Sequence, residues 1–245
     1  MTIKIGLLRA DDVAPDLAKI YGEYPQMIKQ LVLAANQARG AQAETLEFST
    51  YAVNREQYPA DINEVDAYII SGSKSSVYDP EPWIQKLHNF VETLHNRQKK
   101  TVGICFGHQI IASALGGKTE KAAAGWGLGV KPTILNSAAK EAGLTGASIN
   151  LLYSHQDQVT VPAPGSTLLA STDICPVAMI SIGEHILTFQ GHPEFSHSYA
   201  KALYTLREKN YPPEVYQNAM TSLQEQEHGA LVASWIIDFI SSQAL

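Results

Sequence analysis

Cysteine is scarce. Two occur in 245 residues, Cys105 and Cys175, too few to read as a disulfide framework. Clustered positive charge is missing too: the net charge is −6 with no basic run, which argues against a nucleic-acid partner. No apolar run approaches the roughly 20 residues that a bilayer demands, so no membrane partner is expected. Histidines and cysteines lack the spacing of metal ligands. Neither a Gly-x-x-x-x-Gly-Lys-Ser phosphate loop nor a dinucleotide fingerprint is present. Neither metal nor cofactor is therefore expected, and the nucleotide-using parts of a fused synthetase are absent. Residues 3–8 read at once as a strand, without the basic region and apolar core of a signal peptide. The expected compartment is a reducing cytoplasm, where a thiolate would stay reduced.

What is present describes an ordinary globular chain, with 45% hydrophobic and 17% charged residues. Strand-like runs at 3–8, 44–50, 66–71 and the segment ending at Cys105 alternate with helical patterns at 24–38 and 83–97. Met27, Ile28, Leu31, Val32 and Ala35 form one face of the first helix. Such alternation implies an α/β fold: three layers, with a mostly parallel open sheet between helices. The second half reads as strands at 118–120, 128–135, 151–154, 167–170, 177–181 and 186–190, then helices at 197–209, 213–225 and 229–241. Leu231, Trp235, Ile236, Phe239 and Ile240 make an apolar stripe, expected to pack on the core; a homodimer face is the alternative. With no repeat or linker, residues 1–245 read as one domain, a core to about 195 and a helical extension over 196–245.

The most informative stretch is Gly103-Ile104-Cys105-Phe106-Gly107-His108-Gln109. It follows an apolar run and precedes a helical segment at 110–115. Glycines two before and two after a cysteine fit a sharp strand-to-helix turn, the thiol form of a nucleophile elbow. The helix N-terminus facing the sulfur favours thiolate over thiol. Cys105 is the candidate nucleophile; a buried structural cysteine is the alternative. Cys175, before Pro176, reads as structural. Far downstream, the strand at 186–190 runs into Gly191-His192-Pro193-Glu194. Pro193 holds His192 extended, so His192 and Glu194, two apart, face one side. A thiol, a general base and a carboxylate that orients it satisfy the logic of a nucleophilic triad. His108 turns away from Cys105 by helical spacing.

These motifs resemble those of class I glutamine amidotransferases, in particular stand-alone proteins similar to the amidotransferase half of GMP synthase. Two further blocks share the resemblance, in family order: residues 69–79 (Ile-Ile-Ser-Gly-Ser-Lys-Ser-Ser-Val-Tyr-Asp) and 154–159 (Ser-His-Gln-Asp-Gln-Val). The resemblance implies a flavodoxin-like core and an oxyanion hole from backbone N–H groups of Gly72 and Phe106. It also implies a glutamyl pocket involving Ser73, Gln109, Tyr153, Ser154 and His155, with Asp157 fixing its loop. The implied chemistry is thiolate attack on the γ-carboxamide of glutamine, with ammonia passed to an acceptor on a separate synthetase. A self-sufficient γ-glutamyl hydrolase and a catalytically silent regulator are the alternatives. Two segments depart from the family pattern: Ser71-Gly72-Ser73 stands for the commoner Gly-Gly-Pro, and Gly191 for the usual Phe.

Overall fold

The computed structural model describes residues 2–242. The chain runs β1 (Thr2–Leu8), α1 (Pro15–Tyr21), α2 (Tyr24–Ala38), β2 (Thr45–Tyr51), β3 (Ala67–Ile70), α3 (Pro82–Asn96), β4 (Lys100–Ile104) and α4 (Phe106–Ala114). There follow β5 (Lys118–Lys121), β6 (Gly127–Leu135), α5 (Ser137–Glu141), β7 (Ser148–His155), β8 (Asp157–Val161), β9 (Ser166–Ser171), β10 (Met179–Ile182) and β11 (Ile186–Phe189). Helices α6 (His197–Leu206), α7 (Pro213–Ser222) and α8 (Gly229–Ser241) come last.

Nine strands form one mixed sheet in the order β2-β1-β3-β4-β11-β10-β9-β6-β7, and β5 pairs with β8 apart from it. From β2 to β11 neighbouring strands are parallel; from β11 to β7 they are antiparallel. The inner parallel strands β3, β4 and β11 are buried almost throughout, as a sheet covered by helices on both faces requires, while the edge strand β2 has no buried residue. Ile5 and Leu7 of β1 and Ala67 and Ile69 of β3 join one core, shared with α2 and α8. Leu8, Tyr68 and Ile70 face the other, under α3 and α4. This is the period-two alternation of strands read on a two-sided sheet. A third cluster joins α1, α6 and α7 to β6 and β7.

The stripe on α8 is used internally: Trp235, Ile236 and Ile240 are buried in the core shared with α2, while Leu231 remains 37% exposed. Several boundaries differ from the sequence expectation. Helix α4 starts at Phe106, directly after Cys105, rather than at 110. Strand β8 and the short helices α1 and α5 were not evident from apolar period. Among the described residues no helix is long and apolar enough to cross a membrane.

The register places one edge of the sheet in line. Leu8 pairs with Ile70, Ile70 with Gly103, and Ile104 with Phe189. Four strands thus end side by side, followed by Ala10-Asp11, Ser71-Gly72, Cys105 and Gln190-Gly191-His192. Ligands of open α/β sheets bind at the carboxyl ends of their strands.

Candidate active site

Cys105 joins β4 to α4 with φ 52° and ψ −101°, in a region that residues with a Cβ adopt only at a cost of about 1–3 kcal/mol. Its N–H donates to Phe189 O at 2.8 Å, and its carbonyl accepts from Gln109 N at 3.0 Å. The flanking glycines permit the turn sterically. A Cβ on Gly107 would lie 2.4 Å from Ile70 O, and one on Gly103 would lie 2.6 Å from the Gly107 backbone. Phe106 is the first residue of α4, so its N–H has no intrahelical acceptor.

His192 leaves β11 through a single antiparallel bridge to Leu152, its N–H donating to Leu152 O at 2.7 Å. The imidazole Nδ1 is 2.8 Å from Glu194 Oε1, and Phe195 stacks on the ring at 3.9 Å between centroids. The Glu194 side chain is fully buried, and its Oε2 has no hydrogen-bond partner among the described residues. Burial alone would lower the His192 pKa. The Glu194 carboxylate and the Cys105 sulfur outweigh it and hold the imidazole well above its ordinary value. His155 shows the contrast: burial without a carboxylate lowers it to about 4, so it is neutral near pH 7. His108 is buried between Thr188 Oγ1 (2.7 Å) and Val177 O (3.0 Å), away from the cleft. Burial pushes the Cys175 thiol up to about 12, the signature of an inert structural cysteine.

Gly72 lies against both partners: a Cβ there would be 2.9 Å from His192 Cε1 and 3.7 Å from Cys105 Cβ. Ser71, where the family pattern has glycine, holds this loop to β1, its Oγ accepting from Ala10 N at 3.0 Å. Asp11 accepts from Lys74 N at 3.0 Å and pairs with Lys74 Nζ at 3.1 Å. Asp11 escaped the sequence reading. The available signal was its place just after β1, at the edge where β3 and β4 also end.

A cavity of about 340 Å³ opens beside Cys105, lined among others by Ser73, Gln109, Ser154, His155 and Arg207. A narrower cleft joins Gly72, Cys105 and His192, again with Arg207. Gln109 Nε2 donates to Asp157 O at 2.7 Å and Gln190 Oε1 at 3.1 Å, so it braces the cavity wall as well as lining it. Asp157 receives Ser76 Oγ at 2.5 Å and Tyr78 OH at 3.0 Å, binding two loops together. His155 Nε2 has no hydrogen-bond partner among the described residues. Tyr153 is not brought to the cavity. Its hydroxyl bonds Thr133 Oγ1 at 2.7 Å, and it stands where a side chain at residue 191 would go: a Cβ on Gly191 would lie 3.1 Å from its ring and 2.8 Å from Leu151. Gly191 thus leaves room for Tyr153. Trp126 both lines the cavity and packs edge-on against Tyr211 at 4.9 Å. No group of three or more His, Cys, Asp or Glu among the described residues is arranged to hold a metal.

The family profile described as glutamine amidotransferase class-I matches residues 23–209. The chain belongs to this family. A glutamine amidotransferase-like protein of Schizosaccharomyces pombe is 35% identical over 203 residues, covering 80% of this chain and 81% of that one. Gamma-glutamyl peptidase 3 of Arabidopsis thaliana is 39% identical over 142 residues, covering 56% of this chain; the chain spans only 57% of that relative's length. A solved glutamine amidotransferase from Thermotoga maritima superposes with a TM-score of 0.73 at 15% identity, covering 98% of this chain and 99% of that one. It shows a shared fold. The sequence match to class I amidotransferases runs through α6, so the first helix of the C-terminal extension falls within it.

Proposed function

We propose that the protein is a cysteine amidohydrolase that cleaves the γ-amide of a glutamyl group, with glutamine the simplest substrate. The observation that carries this reading is one continuous cleft joining Cys105, His192 and Gly72, with Glu194 hydrogen-bonded behind the imidazole. The Cys105 thiolate attacks the γ-carbonyl, and His192, holding the thiol proton, gives it to the departing nitrogen. Glu194 keeps the ring oriented and balances its charge. The oxyanion meets the N–H groups of Phe106 and the Gly72 loop; one such donor is typically worth about 3–4 kcal/mol. Water, activated by His192, then hydrolyses the thioester and releases glutamate. The ammonia freed from glutamine is available for transfer to an acceptor on a separate synthetase.

The second reading is a self-sufficient hydrolase of γ-glutamyl peptides. It is favoured by the 39% match to a γ-glutamyl peptidase and by a cavity of about 340 Å³ that continues past the thiol. Glutamate release from glutamine and from a γ-glutamyl dipeptide, with Cys105→Ala as the blank, separates the two. Turnover of the dipeptide alone selects the peptidase. Turnover of glutamine supports the amidotransferase, and stimulation by a synthetase would complete it. Absence of Cys105-dependent turnover on both, with an unreactive thiol, would leave only the silent regulator.

A further inference from the structure

Arg207, the C-cap residue of α6, lines both the broad cavity and the narrow cleft that holds Cys105 and His192. Arg9, Arg39 and Arg55 are each paired with an aspartate. Arg97, exposed, and Arg207, half-buried, have no carboxylate within ion-pair distance among the described residues. The neighbours of Arg207 are hydroxyls instead. Burial raises Tyr24, Tyr199 and Tyr211 above the ordinary tyrosine range, and the Arg207 charge beside them works in the opposite direction. Asp11, the acid at this edge of the sheet, is taken by Lys74. Asp157 is the one acid lining the broad cavity, against Lys74, Lys121 and Arg207, and it is engaged by Ser76 and Tyr78. With Lys74 neutralised by Asp11, Lys121 and Arg207 stand against Asp157 on the cavity wall, an excess of positive charge beside Cys105 that favours anionic ligands.

A half-buried guanidinium without a counter-ion is a site prepared for one, and its planar fork fits a carboxylate in two parallel hydrogen bonds. The position decides which carboxylate. His192 protonates the departing nitrogen at the narrow cleft, and the rest of the leaving group has room only in the adjoining cavity of about 340 Å³, which Cys105 and Arg207 both line. We propose that Arg207 binds the carboxylate of the leaving amino acid and thereby selects γ-glutamyl peptides ending in a free carboxylate over glutamine, whose leaving group is ammonia. This rests on the γ-glutamyl hydrolase reading above.

The test compares kcat/KM for a γ-glutamyl dipeptide and for its C-terminal amide, in the wild type, Arg207→Lys and Arg207→Met. The wild type is expected to prefer the acid. Arg207→Met should lower the acid-to-amide ratio tenfold or more, mainly through KM. Arg207→Lys should retain part of the preference, since lysine keeps the charge without the fork; it also guards against mistaking misfolding for lost recognition. A wild type indifferent to the amide, or a ratio unmoved by Arg207→Met, would overturn the proposal. Equal losses on acid, amide and glutamine would also overturn it, by assigning Arg207 to the glutamyl half. If no Cys105-dependent turnover occurs on any substrate, the hydrolase reading falls on its own, and calorimetry decides the binding claim. Cys105→Ala and Cys105→Ala/Arg207→Met are titrated with acid and amide. A tenfold weakening confined to the acid keeps the carboxylate site; equal affinities remove it.

Discussion

Cys105 carries a side chain at a φ where most residues would relax, and it is held there by bonds from both sides, Phe189 O in front and Gln109 N behind. Its surroundings are correspondingly intolerant. In Gly72→Ala the new methyl would lie 2.9 Å from His192 Cε1, so the ring must move. A fall in kcat of tenfold or more is expected, about 1.4 kcal/mol in the barrier, with the circular dichroism spectrum unchanged. Glu194→Gln removes the charge that holds the imidazole protonated. A loss of about 10²–10⁴ in kcat is expected, with slower alkylation of Cys105 at pH 7; unchanged alkylation would detach Glu194 from the thiol. At this scale much could be read from the chain, because an elbow and a His-Pro-Glu segment confine their side chains locally. Asp11 and Gln190 could not. Each acts through a residue more than sixty positions away, Asp11 on Lys74 and Gln190 on Gln109, and no local spacing records such a pairing. Tyr153 misled for a different reason, the face of the strand on which it lies. It sits one residue from Ser154 on β7, and the strand alternation that brings Ser154 to the cavity turns Tyr153 inward.

Among the elements, the long amphipathic helices were legible: α2 spans the residues its apolar face implies, Tyr24–Ala38. Strand β8 was not, since Asp157–Val161 alternates only weakly and its partner β5 is equally short. Helix α4 was expected too late because the glycine and polar residues after Cys105 look like a loop; tertiary contact with Ile70 overrides their propensity. The C-terminal extension is a structural neighbour of the site rather than an appendage. A Cβ on Gly229, the first residue of α8, would lie 2.2 Å from Pro193 O, against the segment that carries His192 and Glu194. Gly229→Ala should therefore cost about 1–3 kcal/mol of stability, as overpacking does, and lower kcat as well. A urea melt and glutamate release measured together check this; a loss of stability with intact kcat would uncouple α8 from the active site.

For the whole molecule, the buried histidines set a pH profile of stability. Burial lowers His108 to about 3 and His155 to about 4, while an unfolded histidine titrates near 6.5. Below about pH 6.5 the unfolded chain thus binds more protons at both sites, and stability is lost as the pH drops, by up to about 1.4 kcal/mol per unit for each. His192 has the opposite sign. Its folded pKa is raised, because Glu194 and Cys105 outweigh the burial that would lower it. Its contribution is complete below about 6.5 and is lost as pH rises toward the folded value. From these three groups, the urea midpoint should peak near pH 6.5. In His192→Gln the alkaline decline should flatten while the acid decline persists; an unaltered alkaline limb would refute the raised pKa.

Strand β11 lies between β4, its parallel neighbour, and β10, its antiparallel one, and it delivers His192 to a thiol made much earlier in the chain. While a ribosome is still making the segment before β11, Cys105 has neither its base nor the carbonyl of Phe189 that grips its backbone. On the mechanism proposed above, Cys105 gains its base only when the last parallel strand has entered the middle of the sheet. In refolding from urea, Cys105-dependent turnover should accordingly return with the slowest phase that restores the sheet, and never ahead of it.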